Sequence, residues 1–198
     1  MVFPHIDEAL SILMCDVSGH GIGSALMANR IYSETLHQLE RKAGPSAVLR
    51  RVHEFVHDRL AIDTFYFTMA AVRFTMRGRR ATFAAAGHPP AMLVSNGRVH
   101  LLESQNGILG CVDETAACES AMEMELSSGD RFVLYTDGLV EVFNTQEEML
   151  GIEGFSQLVL DSVNLTLPEM RQAILDGVAA WRHGPLADDV SLVIVEVH

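Results

Sequence analysis

The chain has 198 residues, enough for one domain with a sizeable core and too few to make two domains the default. Its 26 acidic against 14 basic residues give a formal net charge of −12, which argues against a nucleic-acid binder, and 48% hydrophobic with 20% charged residues excludes disordered and fibrous classes. No run approaches the roughly 18 to 20 apolar residues of a membrane span, and Pro4, His5, Asp7 and Glu8 stand where a signal peptide needs a basic and then an apolar stretch, so no membrane partner and a cytoplasmic location are expected.

Ala9 to Cys15 is a short apolar run that ends in Asp16-Val17-Ser18-Gly19-His20-Gly21, too glycine-rich to continue a strand, so the pattern predicts a strand and then a loop. From Ile22 to about Lys42 the residues Ile22, Leu26, Ile31, Leu36 and Leu39 recur at roughly helical spacing, with Ser18 as a candidate cap. Gly44-Pro45-Ser46 interrupts the chain, and Val48, Val52, Phe55, Val56 and Leu60 predict a second helix with Ser46 as its N-cap.

Beyond Asp63 the texture turns β-branched and aromatic. The runs 64–75, 81–86, 91–94 and 99–102 predict a meander of strands, with Arg77-Gly78 and Asn96-Gly97 as hairpin turns. Met122 and Met124 alternate with Glu123 and Glu125, and Ser128-Gly129-Asp130 then leads into Arg131 to Tyr135, which reads as a further strand pair. After Thr136-Asp137-Gly138, residues 152–160 and 167–181 read as helices, the latter with Pro168 in its first turn, and residues 190–197 as a last strand. Strands and helices are segregated rather than alternating, so the expected class is α+β, sheets packed together with helices outside. The three cysteines Cys15, Cys111 and Cys118 are odd in number and irregularly spaced, which fits reduced thiols, with Cys15 filling a buried strand.

Asp16, Asp137 and the pair Asp188-Asp189 each stand at an end of an apolar β-like run, and sheet edges can bring such ends together. Gathered carboxylates repel unless neutralised, and hard divalent cations such as Mg2+ or Mn2+ are their usual neutralisers. The bland alternative is that each aspartate merely caps a turn, and spacing alone does not choose.

The order of motifs does choose. C-D-V-S-G-H-G-I-G-S-A-L-M at 15–27, A-G-H-P-P-A at 86–91, G-I-L-G at 107–110, S-G-D-R-F-V-L-Y-T-D-G-L-V-E at 128–141 and D-D-V-S-L-V at 188–193 together resemble, in order, the blocks of SpoIIE-like serine/threonine phosphatases of the metal-dependent PPM family. The resemblance covers essentially the whole chain as one domain, and implies a β-sandwich of mainly antiparallel sheets flanked by helices, with a metal centre at one end. By position, Asp16 would be the carboxylate shared between two Mn2+ or Mg2+ ions, the backbone carbonyl of Val17 a further ligand, and Asp137 and Asp188 the rest of the set, with Asp189 in support. A water activated between the two cations would attack the phosphorus of a phosphoserine or phosphothreonine. The implied partner is a phosphorylated regulatory protein, such as an anti-anti-sigma-like protein, with an upstream regulatory domain or a homodimer also in keeping with the family.

For His20 a general acid toward the leaving alkoxide and an imidazole hydrogen-bonded within its loop stand as alternatives, and it is left out of the catalytic set. His88 is read as bracing a turn, and Ser18 and Cys15 lack a base at a triad spacing, so nucleophilic catalysis has little support. One departure stands out: family members carry a G-G-D-x-x-D-like strand before the D-V-S-G-H-G block, whereas Met1 to Glu8 reads M-V-F-P-H-I-D-E, with Asp7 in the turn before the next strand. A shortened chain or a metal site that has lost a ligand would account for it. The alternative function is therefore a metal-poor pseudophosphatase that binds a phosphoprotein or regulatory partner without turning it over.

Overall fold

The computed structural model describes residues 1–6, 8–60, 66–75, 79–110, 118, 120–186 and 188–198, with the backbone alone at 59 and 60. In chain order the elements are β1 (Val2–Pro4), β2 (Ala9–Val17), α1 (Ile22–Glu40), α2 (Pro45–Glu54) continued by a π-helical stretch Phe55–Leu60, β3 (Phe67–Thr75), β4 (Arg80–Ala86), β5 (Ala91–Ser95), β6 (Arg98–Leu102), β7 (Met122–Glu125), β8 (Arg131–Tyr135), a 3-10 turn Asp137–Leu139, α3 (Gly151–Asp161), α4 (Leu167–Trp181) and β9 (Leu192–Glu196). Internal contacts divide them into two units, Met1–His88 with Glu103–Leu126, and Pro89–Leu102 with Ser127–His198.

The first unit is built on a five-stranded antiparallel sheet in the order β1-β2-β3-β4-β7. α1 packs on β2, and α2 on β3 and β4. The helix-facing residues of the sheet include Leu13, Phe67, Met69, Ala71, Ala84 and Ala86, alternating along their strands as a pleated sheet requires. They close a core with Met27, Ile31 and Leu39 of α1 and Val48, Leu49 and Val52 of α2. Burying each such aliphatic side chain contributes about 1.5 to 3 kcal/mol.

The second unit has a four-stranded antiparallel sheet in the order β6-β5-β8-β9, with α3 against β6 and α4 against β9. Met92, Val133 and Tyr135 of its strands pack with Phe155 and Val159 of α3 and Met170, Ile174 and Val178 of α4. Asn96 and Gly97, with φ of 51° and 70°, form the left-handed two-residue turn between β5 and β6. α4 opens on a reciprocal capping box between Thr166 and Glu169, with Pro168 in the first turn.

The α+β expectation of antiparallel sheets and segregated helices holds, and four local readings change. β2 runs through Asp16 to Val17, because the backbone at Asp16 and Val17 stays paired with Thr68 and Phe67 before the glycines intervene. In α1, Ile22 and Leu26 are exposed; the buried stripe is Met27, Ile31, Thr35 and Leu39, every fourth residue. Gly44, not Ser46, caps α2, with Pro45 at the first helical position, and Gly21 rather than Ser18 precedes α1. β7 and β8 are not a pair: β7 joins β4 in one sheet and β8 joins β5 and β9 in the other. The turn read at Arg77-Gly78, and Asp7, Cys111 and 64–65, lie outside the described residues.

Candidate functional site

In the first unit Asp16 is the penultimate residue of β2, half-buried and opposite Thr68 of β3, and Val17 follows opposite Phe67. The loop that leaves them is tied to the chain entering β3. Ser18 N–H donates to the Tyr66 carbonyl at 2.9 Å, Tyr66 N–H donates to Ser18 Oγ at 3.1 Å, and Ser24 Oγ–H donates to the Ser18 carbonyl at 3.1 Å. The Ser18 hydroxyl thus anchors a loop, in keeping with its exclusion as a nucleophile. His20 sits exposed beyond it and forms no hydrogen bond among the described residues, so the loop-bracing alternative for it is not seen there.

His88 does brace its turn. It is buried, and its Nδ1 is 2.8 Å from Thr68 Oγ1. The preceding Gly87 has φ of 60°, and a Cβ there would come within 2.6 Å of the Ile108 side chain, so both backbone conformation and space require glycine. Gly87 N–H donates to the Asn106 carbonyl at 2.9 Å, and the Asn106 amide returns a bond to the Ala85 carbonyl at 2.9 Å. Leu109 exchanges two backbone bonds of 3.0 Å with Phe67, while Gly110 N–H donates to His53 Nδ1 at 3.2 Å. The 107–110 motif is thus bonded to the start of β3, and Asn106, which directly precedes it, is bonded to Gly87 and Ala85.

In the second unit the segments carrying Asp137 and Asp188 are held together. Thr136, buried after β8, donates its hydroxyl to the Asp189 carbonyl at 3.0 Å and accepts from Ser191 N–H at 2.9 Å, while its own N–H donates to the Ser191 carbonyl at 3.1 Å. Gly138 permits this closeness, since a Cβ there would lie 2.6 Å from the Asp189 carbonyl oxygen. Asp188 is exposed, and its Oδ1 accepts from Asp189 N–H at 2.7 Å. Asp137 heads the 3-10 turn, and its Oδ1 is buried without a hydrogen-bond partner among the described residues. A carboxylate oxygen removed from water and left unpaired is costly unless a cation or donor completes it. It therefore fits a divalent cation, which takes carboxylate oxygens.

Asp16 and Val17 thus lie in one unit and Asp137 and Asp188 in the other. No group of three or more His, Cys, Asp or Glu side chains suited to an ion occurs among the described residues. Sequence reasoning passed over Thr136, whose only signal was a hydroxyl residue at a strand end directly before Asp137, and Thr68, which lies opposite Asp16 only through the strand register. Burial pushes the Cys15 thiol up to about 12 and raises that of Cys118 as well, so neither is primed as a nucleophile.

The sequence model of the family described as Stage II sporulation protein E (SpoIIE) matches residues 6–198. Phosphoserine phosphatase RsbU of Bacillus subtilis (strain 168) is 26% identical over 190 residues, 95% of this chain and 56% of that protein, so the chain spans about half the length of that relative. Among solved structures, the SiaA-PP2C domain of Pseudomonas aeruginosa superposes with a TM-score of 0.87 at 23% identity, covering 99% of this chain and 78% of that one. The catalytic domain of the serine/threonine phosphatase PstP, in complex with two manganese ions, gives 0.66 at 14% identity, covering 99% and 90%. These structural likenesses show that the α+β fold is that of PP2C domains.

Proposed function

From the chain's membership of the SpoIIE family, to which it belongs over residues 6–198, we propose that it is the catalytic domain of a metal-dependent protein phosphatase acting on phosphoserine or phosphothreonine in a regulatory protein. The likeness to RsbU supports the reaction class, and the observation in this chain that carries it is the buried Oδ1 of Asp137, unpaired among the described residues. Asp16, the Val17 carbonyl, Asp137 and Asp188 would hold two Mn2+ or Mg2+ ions, a hard-oxygen set suited to those cations. The manganese held by the PstP domain supports that choice. Such ions supply Lewis acidity toward water and neutralise phosphoryl charge.

The chain's own residues do the positioning. Thr136 clamps the Asp188-Asp189 segment against the turn that carries Asp137, which holds the backbone at both aspartates in place. Gly138 keeps that approach open. The acidic balance of the chain repels a dianionic phosphoryl group, so recognition of substrate depends on neutralising these carboxylates. The substrate is a phosphorylated regulatory protein of the anti-anti-sigma kind, and the whole chain acts as one such domain in the cytoplasm.

The test is Asp137→Asn, which keeps shape and removes charge. At limiting Mn2+ its turnover of a phosphoserine peptide should fall by at least about tenfold, the scale on which even outer partners of a metal site act. Wild-type turnover in that variant, or wild-type turnover that survives chelation, would sink the reading. A second reading is favoured by one observation: β1, beside β2, is Val2-Phe3-Pro4 and carries no carboxylate. A metal-poor relative would bind the phosphopeptide in calorimetry and release no phosphate at saturating Mn2+.

A further inference from the structure

We propose that Thr68 is a positioning residue for Asp16, and that His88 holds Thr68 in that role. The inference rests on the metal-dependent reading above and adds to it two residues from strand β3 and the turn after β4. In the antiparallel register Asp16 lies directly opposite Thr68, so the two side chains stand on the same face of the sheet. Residues so paired have Cβ atoms about 4.5 to 5.5 Å apart, within reach of a hydroxyl and a carboxylate. On its other side β2 is bonded by residues 1–5 from Ala9 to Leu13, and among the described residues Thr68 is the cross-strand neighbour of Asp16.

A threonine hydroxyl can rotate, and its value as a positioning group depends on what fixes it. Here Thr68 Oγ1 is fixed by the buried His88 Nδ1 at 2.8 Å. His88 is fixed in turn by the left-handed Gly87, whose backbone is pinned to Asn106 and which has no room for a side chain beside Ile108. With Nδ1 protonated, the imidazole donates to Thr68 Oγ1 and the threonine proton is left to point at the carboxylate across the strand. The 86–91 motif, which the phosphatase reading leaves without a task, thereby gains one: it fixes the orientation of the carboxylate that would be shared between ions. Outer partners of this kind orient metal ligands and their loss weakens metal affinity.

The experiment is calorimetric titration of Mn2+ into the 198-residue chain and four variants, with thermal melting run in parallel. Thr68→Val, which keeps the shape and the β preference, should weaken Mn2+ binding about tenfold. Thr68→Ser, which restores the hydroxyl, should stay within about threefold of wild type. His88→Asn, which keeps a polar group near the Nδ1 position, should fall between them. The double variant Thr68→Val with His88→Asn should bind no more weakly than Thr68→Val alone, because both act through one hydroxyl. Equal Mn2+ affinity in Thr68→Val and Thr68→Ser would overturn the proposal, as would strictly additive losses in the double variant. A wild-type chain that binds no Mn2+ would overturn the metal reading itself, and Thr68 would fall with it. Melting temperatures separate a loss of affinity from a loss of fold, and if Thr68→Val melts early the comparison rests on His88→Asn against wild type.

Discussion

Among single residues, Cys15 shows how burial sets chemistry. It lies two residues after Leu13 on the helix-facing side of β2, packed against the first core, and desolvation of its thiolate raises its pKa from 9.0 to about 12. The charge of neighbouring Asp16 acts in the same direction. An acid whose folded pKa is raised keeps its proton in the native chain while the unfolded chain ionises, so stability is unaffected below pH 9 and falls as pH rises from 9 toward 12. Cys15→Ala should therefore show a shallower decline in melting temperature between pH 9 and pH 10.5 than the parent chain. An identical slope in both would show that the thiol ionises equally in the folded and unfolded states. In the native chain Cys15 should also resist alkylation at pH 8 and react readily in guanidinium, measured by peptide mapping.

Elements were legible where local pattern and tertiary setting agree. The start of α4 at Pro168 and the Asn96-Gly97 turn follow from a proline ring pre-set for the first helical turn and from left-handed backbone, both local causes. The buried face of α1 did not, because Ile22 and Leu26 suggest a stripe that the helix turns outward while Thr35 goes inside. Nor did the pairing of β7, since a four-residue strand ending at a tight turn looks like half of a hairpin, and only the long-range register to β4 decides otherwise. Arg131 was unreadable for the same reason. It is buried on β8, pairs with Glu196 of β9 at 2.6 Å and donates to the Val163 carbonyl at 2.9 Å, linking two strands and the loop before α4. Removing one partner leaves the other charge half-buried, so Arg131→Ala should destabilise the fold by about 3 kcal/mol in urea unfolding. A loss under about 0.5 kcal/mol, the scale of an exposed pair, would mean that water replaces the bond.

For the molecule as a whole, the motifs at 15–27, 128–141 and 188–193 named the candidate aspartates because chemistry constrains side chains and their glycines together. The partition of the chain was hidden, since nothing local in residues 89–102 tells that this hairpin leaves the first unit and that the chain returns at Glu103. Consequently neither unit is a continuous stretch of sequence. A chain ending at Leu126 would keep β5 and β6 but lose β8, the strand that pairs with β5, along with β9, α3 and α4. Met92 and Val94 would lose Val133, Tyr135 and the α3 and α4 side chains that bury them. An isolated two-stranded hairpin is marginal in water, even with the favourable Asn96-Gly97 turn. Hydrogen exchange on such a fragment should therefore show the amides of residues 91–102 exchanging at nearly unfolded rates, at least about a hundredfold faster than in the full chain, as expected when a segment passes from a core sheet to the low-stability end of local opening. The β2–β3 ladder draws its strands and both covering helices from within residues 1–126, and any protection left in the fragment should lie there. Full-chain protection across 91–102 in the fragment would mean that β8 is not what holds this hairpin, and that the second unit does not fold as a single sheet-and-helix body.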